Sequence, residues 1–279
     1  MPDPVPVEDL CAECEGRGWV LVADGGAGTA RPCDCRKRRR NERLLAAAFI
    51  PDRYADCTLE GFRTDVSPNA TGALVKARAR ARRYVDEFLA PDGRFRELGL
   101  LFTGPPGTGK THLAVAVLTG LVRTFGVRGR FVDFTSLVHQ IQTTFDPGSA
   151  ESKSQVLDPV IGADVLVLDE LGAQKPTPWV HDVLYLVINT RYTERRPTIF
   201  TTNYRMPQAR PAPPRRRPEA NLDRGLDRGA DPADDFTLLE RRISPQLISR
   251  LYEMAEAVRL DEVEDYRRVV KERERHLVG

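Results

Sequence analysis

The sequence predicts an α/β protein, a parallel sheet flanked by helices, preceded by a small cysteine-rich module. Two observations predict the sheet and a third the module. From Leu98 onward, short apolar runs bounded by turn residues alternate with longer stretches of helical apolar spacing. The glycine-rich loop "GPPGTGKT" (Gly104–Thr111) falls between the first such run and the first such stretch. Cys11-x2-Cys14 and Cys33-x-Cys35 form two close thiol pairs within the first 35 residues.

Taken in order, residues 1–35 hold the four cysteines, with Gly and Ala filling the loop between the pairs. Residues 36–97 are arginine-rich and predict two helices, joined by "FIPDRYADCTLEGF", in which Cys57 reads as a buried residue. "LGLLFTG", "GRFVDF", "ADVLVLDE" and "PTIFTTN" read as buried strands. Thr111–Phe125 and Trp179–Arg195 carry helical spacing between them, and such alternation predicts parallel pairing. Pro207–Asp235 has almost no large apolar residue, cannot offset the entropy of ordering, and is predicted to be a disordered insertion. Order is predicted to return from Phe236 as helices around a short strand. The division expected is a module at 1–40, a linker at 41–75 and a catalytic-type domain at 76–279.

Composition bounds the partners. An apolar content of 41% and a charged content of 29% are ordinary for a soluble globular chain. A net charge of +2 does not mark the whole molecule as a polyanion binder, so any nucleic-acid surface would have to come from local arginine clustering. "MPDPVPVEDL" lacks the basic and apolar regions of a signal peptide, and no apolar run reaches the roughly 18–20 residues of a membrane helix. The expected location is the cytoplasm, where clustered thiols point to metal more than to disulfides.

The loop at Gly104–Thr111 has the spacing of a P-loop, after a strand and opening a helix. Its glycines let backbone N–H groups cradle phosphate oxygens, and the helix adds its positive end. Lys110 would neutralise the β and γ phosphates of ATP, and the Thr111 hydroxyl would bind Mg²⁺. "DVLVLDE" ends in Asp169 and Glu170, read either as a Mg²⁺-associated carboxylate and the base that polarises water, or as two solvated acids closing a strand. Asn203, ending "TIFTTN", can hold the attacking water, or simply turn the chain. Arg250 and Arg267 are candidate cations for the transition state, against a solvated-face reading for each.

The order of P-loop, "LDE", "TTN", "SRL" and "DYR" resembles AAA+ ATPases of the DnaC/DnaI helicase-loader and IstB group, over roughly Phe62 to Arg268 apart from the insertion. The resemblance implies a truncated AAA+ core lacking most of the helical lid. It implies that Gly104, Gly107, Gly109, Lys110 and Thr111 take the Walker A role, with Pro105, Pro106, Thr108 and His112 beside them at the nucleotide, and Asp169 and Glu170 as Walker B. Asn203 then matches sensor 1, Arg267 sensor 2, and Arg250 the arginine finger that reaches a neighbouring subunit's ATP. An ATP-dependent homo-oligomer holding single-stranded DNA is implied as well. The insertion departs from the family's short connection between sensor 1 and the finger, which puts the reach of Arg250 in question.

Two thiolate pairs can close a tetrahedron around Zn²⁺ and hold a segment too small for its own core, so Cys11, Cys14, Cys33 and Cys35 are the expected ligands. Disulfides or an unmetallated redox pair are the alternatives. The module is similar to the zinc-binding head of the Gram-positive-type loaders in this group, which implies docking on a hexameric replicative DNA helicase. "RKRRRNER" (Arg36–Arg43) can touch DNA phosphates or form a solvated helix face; Arg123, Arg128 and Arg130 are weaker DNA candidates. Three functions compete: an ATP-driven helicase loader, an IstB-like transposition helper acting with a transposase on duplex DNA, and an ATP-binding switch with little hydrolysis.

Overall fold

The structure is a computed structural model and describes residues 11–22, 29–65, 71–145, 152–206, 238–260 and 263–269. The predicted insertion at 207–235 lies outside the described residues. A two-stranded antiparallel hairpin, β1 (Trp19–Val22) and β2 (Thr29–Pro32), is followed by helix α1 (Asp34–Ala46). Helix α2 (Thr71–Asp86) leads into a sheet whose strands are β3 (Gly99–Thr103), β4 (Gly129–Asp133), β5 (Val165–Asp169), β6 (Thr198–Thr202) and β7 (Ala255–Arg259). Their order is β4-β5-β6-β3-β7, and every pairing is parallel. The connections carry α3 (Lys110–Phe125), α4 (Phe134–Thr143), α5 (Lys153–Gly162), α6 (Pro178–Thr193) and α7 (Pro245–Met254).

Because successive strand residues face opposite sides, the apolar runs fill two cores at once. Leu100, Phe102, Val165, Val167 and Ile199 pack with α2 and α3. Leu101, Leu166, Leu168 and Phe200 pack with α4 to α7. The segment after α1 joins the first core through Cys57, Leu59 and Phe62, so it is docked rather than loosely tethered.

Arg191 is fully buried near the C-terminal end of α5. It donates to the carbonyls of Ile161 (2.9 Å), Ala163 (2.8 Å) and Pro197 (2.8 Å) and to the Thr198 hydroxyl (2.9 Å). Burial pushes its pKa down to about 9, which leaves the guanidinium charged at neutral pH. It satisfies carbonyls that the end of α5 leaves open. None of the described helices is long and apolar enough to cross a membrane.

Candidate functional site

A cleft of about 330 Å³ opens at the C-terminal edge of β3, β5 and β6, the position expected for ligands in an open parallel sheet. Pro106, Gly107, Thr108, Gly109, Lys110, Thr111 and His112 line it, together with Glu170, Asn203 and Arg267. Gly104 and Pro105 form the strand exit behind this lining. The loop needs its glycines. Gly107 (φ 79°) and Gly109 (φ 88°) lie in the left-handed region. A Cβ on Gly109 would meet the Phe62 ring at 2.6 Å, and one on Gly107 would fall 1.9 Å from Asp265 Oδ1.

Lys110 donates to the Pro105 carbonyl at 2.6 Å, so its ammonium lies across the loop that would wrap the phosphates. Thr111 Oγ1 donates to Asp169 Oδ1 at 3.0 Å, joining P-loop and β5 at the point where Mg²⁺ is expected. Asp169 is 4% exposed, and among the described residues no cation pairs with it. Burial pushes its pKa up, while donors from Thr201 and Thr111 pull it back. A buried carboxylate beside a hydroxyl, facing an open phosphate cradle, is a donor set suited to a hard divalent cation.

Glu170 departs from the strand at φ 57°, an uncommon conformation for a non-glycine residue and one of the strained kind found at functional sites. Thr201 holds it there. Its Oγ1 accepts from the Glu170 amide (3.0 Å) and donates to Asp169 Oδ1 (2.5 Å). Sequence reasoning passed over Thr201; the signal was a polar residue inside an apolar strand, on the same face as Asn203. Arg53, Tyr54, Phe62 and Arg63 were also missed, although they line the cleft from the preceding segment. Burial raises the Tyr54 pKa against the nearby Arg53 charge. His112 is fixed by the Thr58 carbonyl (2.9 Å) and by an edge contact with Phe62.

Arg250 is the predicted site residue that the chain does not bring to its own cleft. It sits on α7 against Tyr185 and Tyr192 of α6. The weaker DNA candidates are engaged elsewhere: Arg128 pairs with Asp164 (2.7 Å), and Arg130 stacks on Phe49 (3.7 Å). Arg36 to Arg43 lie on α1, where Arg36 stacks on Trp19 and Arg40 reaches the Gly126 carbonyl.

The four thiols converge. Their sulfurs all lie within 4.8 Å of one another, with Cys11–Cys33 at 3.7 Å and Cys14–Cys35 at 3.4 Å. Tetrahedral Zn–S bonds of about 2.3 Å place sulfurs about 3.8 Å apart, so the donor set fits zinc. The tight Cys-x-Cys spacing works because Cys33 caps α1 and Cys35 lies in its first turn. Burial raises the Cys14 thiol, but the Gly18 amide and neighbouring thiols outweigh it and bring it down to about 7. Cys33 is helped by the Cys35 amide, yet burial and the surrounding sulfurs push it up to about 12. Four thiolates cannot crowd together without a cation.

The family described as IstB-like ATP binding protein matches residues 33–210. The chain belongs to this IstB-like family. Replicative helicase loader DnaC of Escherichia coli (strain K12) is 29% identical over 168 residues, covering 59% of this chain and 62% of DnaC. A putative insertion sequence ATP-binding protein of Sinorhizobium fredii (strain NBRC 101917 / NGR234) is 36% identical over 191 residues, 68% of this chain and 58% of that one. The chain therefore spans less than two thirds of either relative. The crystal structure of the DnaC helicase loader superposes with a TM-score of 0.53 at 30% identity, covering 75% of this chain and 99% of that one. The IstB-like chain is thus a DnaC/IstB-type AAA+ protein, with the five-stranded parallel sheet of that fold. Among its described residues, no separate helical domain follows β7.

Proposed function

We propose that this protein is an ATPase that docks on a hexameric replicative DNA helicase and helps place it on single-stranded DNA. The carrying observation is a P-loop cleft joined to a four-thiol head through α1 and the docked segment that follows it. The head presents Trp19 (49% exposed) and Leu21 (76%) on one face of β1. The similarity to helicase loaders supports this reading. In it, residues 11–35 form the docking head, the rest of α1 and residues 47–65 the docked connection, and the remainder the motor.

The proposed chemistry follows from the cleft. The P-loop amides and Lys110 bind the phosphates of ATP, while Thr111 and Asp169 hold Mg²⁺. When bound, Mg²⁺ would offset charge on the phosphate oxygens. Glu170 and Asn203 orient the attacking water, and Arg267 places a cation at the cleft from the C-terminal segment. Arg250, outside its own cleft, serves the nucleotide of a second copy. The exposed Trp19 and Leu21 side chains are the contact offered to the helicase.

Truncation at residue 40 would cut α1 in half, so Trp19→Ala/Leu21→Ala in the full chain is the cleaner test. Co-purification with the replicative helicase in ATP and Mg²⁺ is expected for the native protein and lost in the double variant. A complex unaffected by the double variant would remove the head from docking. The similarity to an insertion-sequence ATP-binding protein favours the transposition-helper reading next. Capture of a transposase in place of the helicase would establish it. Turnover at background even with single-stranded DNA and partner would support a nucleotide switch.

A further inference from the structure

We propose that Tyr185 and Tyr192 are positioning residues for Arg250, and that the Tyr192 hydroxyl keeps Glu253 from neutralising it. This rests on reading Arg250 as the cation donated to a second copy's nucleotide.

Tyr185 and Tyr192 lie seven residues apart on α6, two turns along the same side. The Arg250 guanidinium carbon is 5.1 Å from the Tyr185 ring centre and 5.6 Å from that of Tyr192. Arg250 Nη2 donates to the Tyr185 hydroxyl at 3.3 Å, and Nη1 to the Gln246 carbonyl at 3.4 Å. Its Nε is buried without a hydrogen-bond partner. Ring faces orient a guanidinium but leave its charge in place. A carboxylate would occupy the same planar donor fork that a phosphate uses.

Such a carboxylate is close by. Glu253 lies three residues beyond Arg250 on α7, a spacing at which opposite charges pair across one helical turn. Yet among the described residues no carboxylate pairs with Arg250. The Tyr192 hydroxyl donates instead to Glu253 Oε2 at 2.6 Å. That bond pushes the Tyr192 pKa up, so the hydroxyl remains a donor at neutral pH. Tyr192 therefore offers its ring to the cation and its hydroxyl to the competing anion. Tyr185 (42%) and Tyr192 (37%) are themselves exposed, leaving this face open to a second copy.

Steady-state ATP turnover of the full chain tests the arrangement. Tyr192→Phe keeps the ring and releases Glu253. The expected result is a fall in kcat of about two- to fivefold, the strength of an exposed ion pair, with KM for ATP unchanged. Tyr192→Phe/Glu253→Gln is expected to regain native turnover, which a merely structural loss would not allow. An unchanged Tyr192→Phe, or a double variant that stays slow, overturns the proposal. The reading beneath it is tested separately by mixing Arg250→Ala with Glu170→Gln, one keeping its cleft and the other its arginine. Turnover above that of either alone is expected. No gain on mixing overturns the shared-arginine reading and the proposal with it, whereas gain alongside an unaltered Tyr192→Phe overturns only the proposal.

Discussion

At the scale of single residues, Asp169 and Glu170 depend on one hydroxyl. Thr201 donates to the Asp169 carboxylate and accepts from the Glu170 amide, so a single side chain opposes the effect of burial on one acid and holds the backbone turn of the other. Thr201→Val preserves shape and removes both bonds. The Glu170 amide left unpaired costs about 1–3 kcal/mol, while Asp169 keeps its bond from Thr111. Loss of the Thr201 donor also lets burial raise the Asp169 pKa further. The expected outcome is a lower melting temperature and a kcat reduced about tenfold, as about 1.4 kcal/mol lost from the transition state requires. Nucleotide affinity should stay close to native, because the P-loop is untouched. Thermal unfolding and steady-state kinetics check this, and native kcat would remove Thr201 from the site.

At the scale of elements, two connections matter most. Helix α1 begins inside the cysteine cluster and packs on the AAA+ core, where Asn41 Nδ2 donates to the Arg123 carbonyl at 2.7 Å. Arg40 adds a bond to the Gly126 carbonyl of the core, while Arg36, Lys37, Arg38 and Arg43 are exposed. The second connection spans residues 207–237, whose flanks meet. Arg205 bridges Leu238 in parallel, and the Leu239 amide donates to the Arg205 carbonyl at 2.9 Å. Arg242 then binds the loop after β5 through the Gly172 carbonyl at 2.8 Å. The placement of α7, and with it Arg250, follows from these contacts and not from the length of chain between them. Replacing residues 208–236 by a short Gly-Ser turn should therefore leave ATP turnover native. Stability should be equal or higher by up to about 2 kcal/mol, since a shorter loop costs less entropy to close. Denaturant unfolding and turnover of the excised chain measure both, and a large loss of turnover would give the insertion a part in the cycle.

At the scale of the whole molecule, the proposed function assigns different ions to the two parts, zinc to the four thiols and Mg²⁺ to the cleft. Purified protein is expected to carry about one zinc per chain. A strong chelator should release it and unfold the head, because folding and metal binding are one event in so small a segment. Metal should also be lost as pH falls and the thiolates take up protons. ATP binding should survive chelation, since the cleft is built from residues 53–63 and beyond. Metal analysis and nucleotide titration before and after chelation test this; collapse of ATP binding would mean that head and core fold as one unit.

Much of this was legible without coordinates. Apolar runs of strand length can be buried only in a sheet covered on both faces, and the P-loop spacing has few other uses, so the fold class, the glycine loop that lines the cleft and the cysteines that converge could be read locally. What spacing could not carry was side-chain placement across the chain. That Arg53 and Tyr54 reach the cleft, that Thr201 ties Asp169 to Glu170, and that Tyr192 holds Glu253 from Arg250 are all long-range contacts. Local periodicity reports which face a residue occupies, whereas its partner there is chosen by packing between elements distant in sequence.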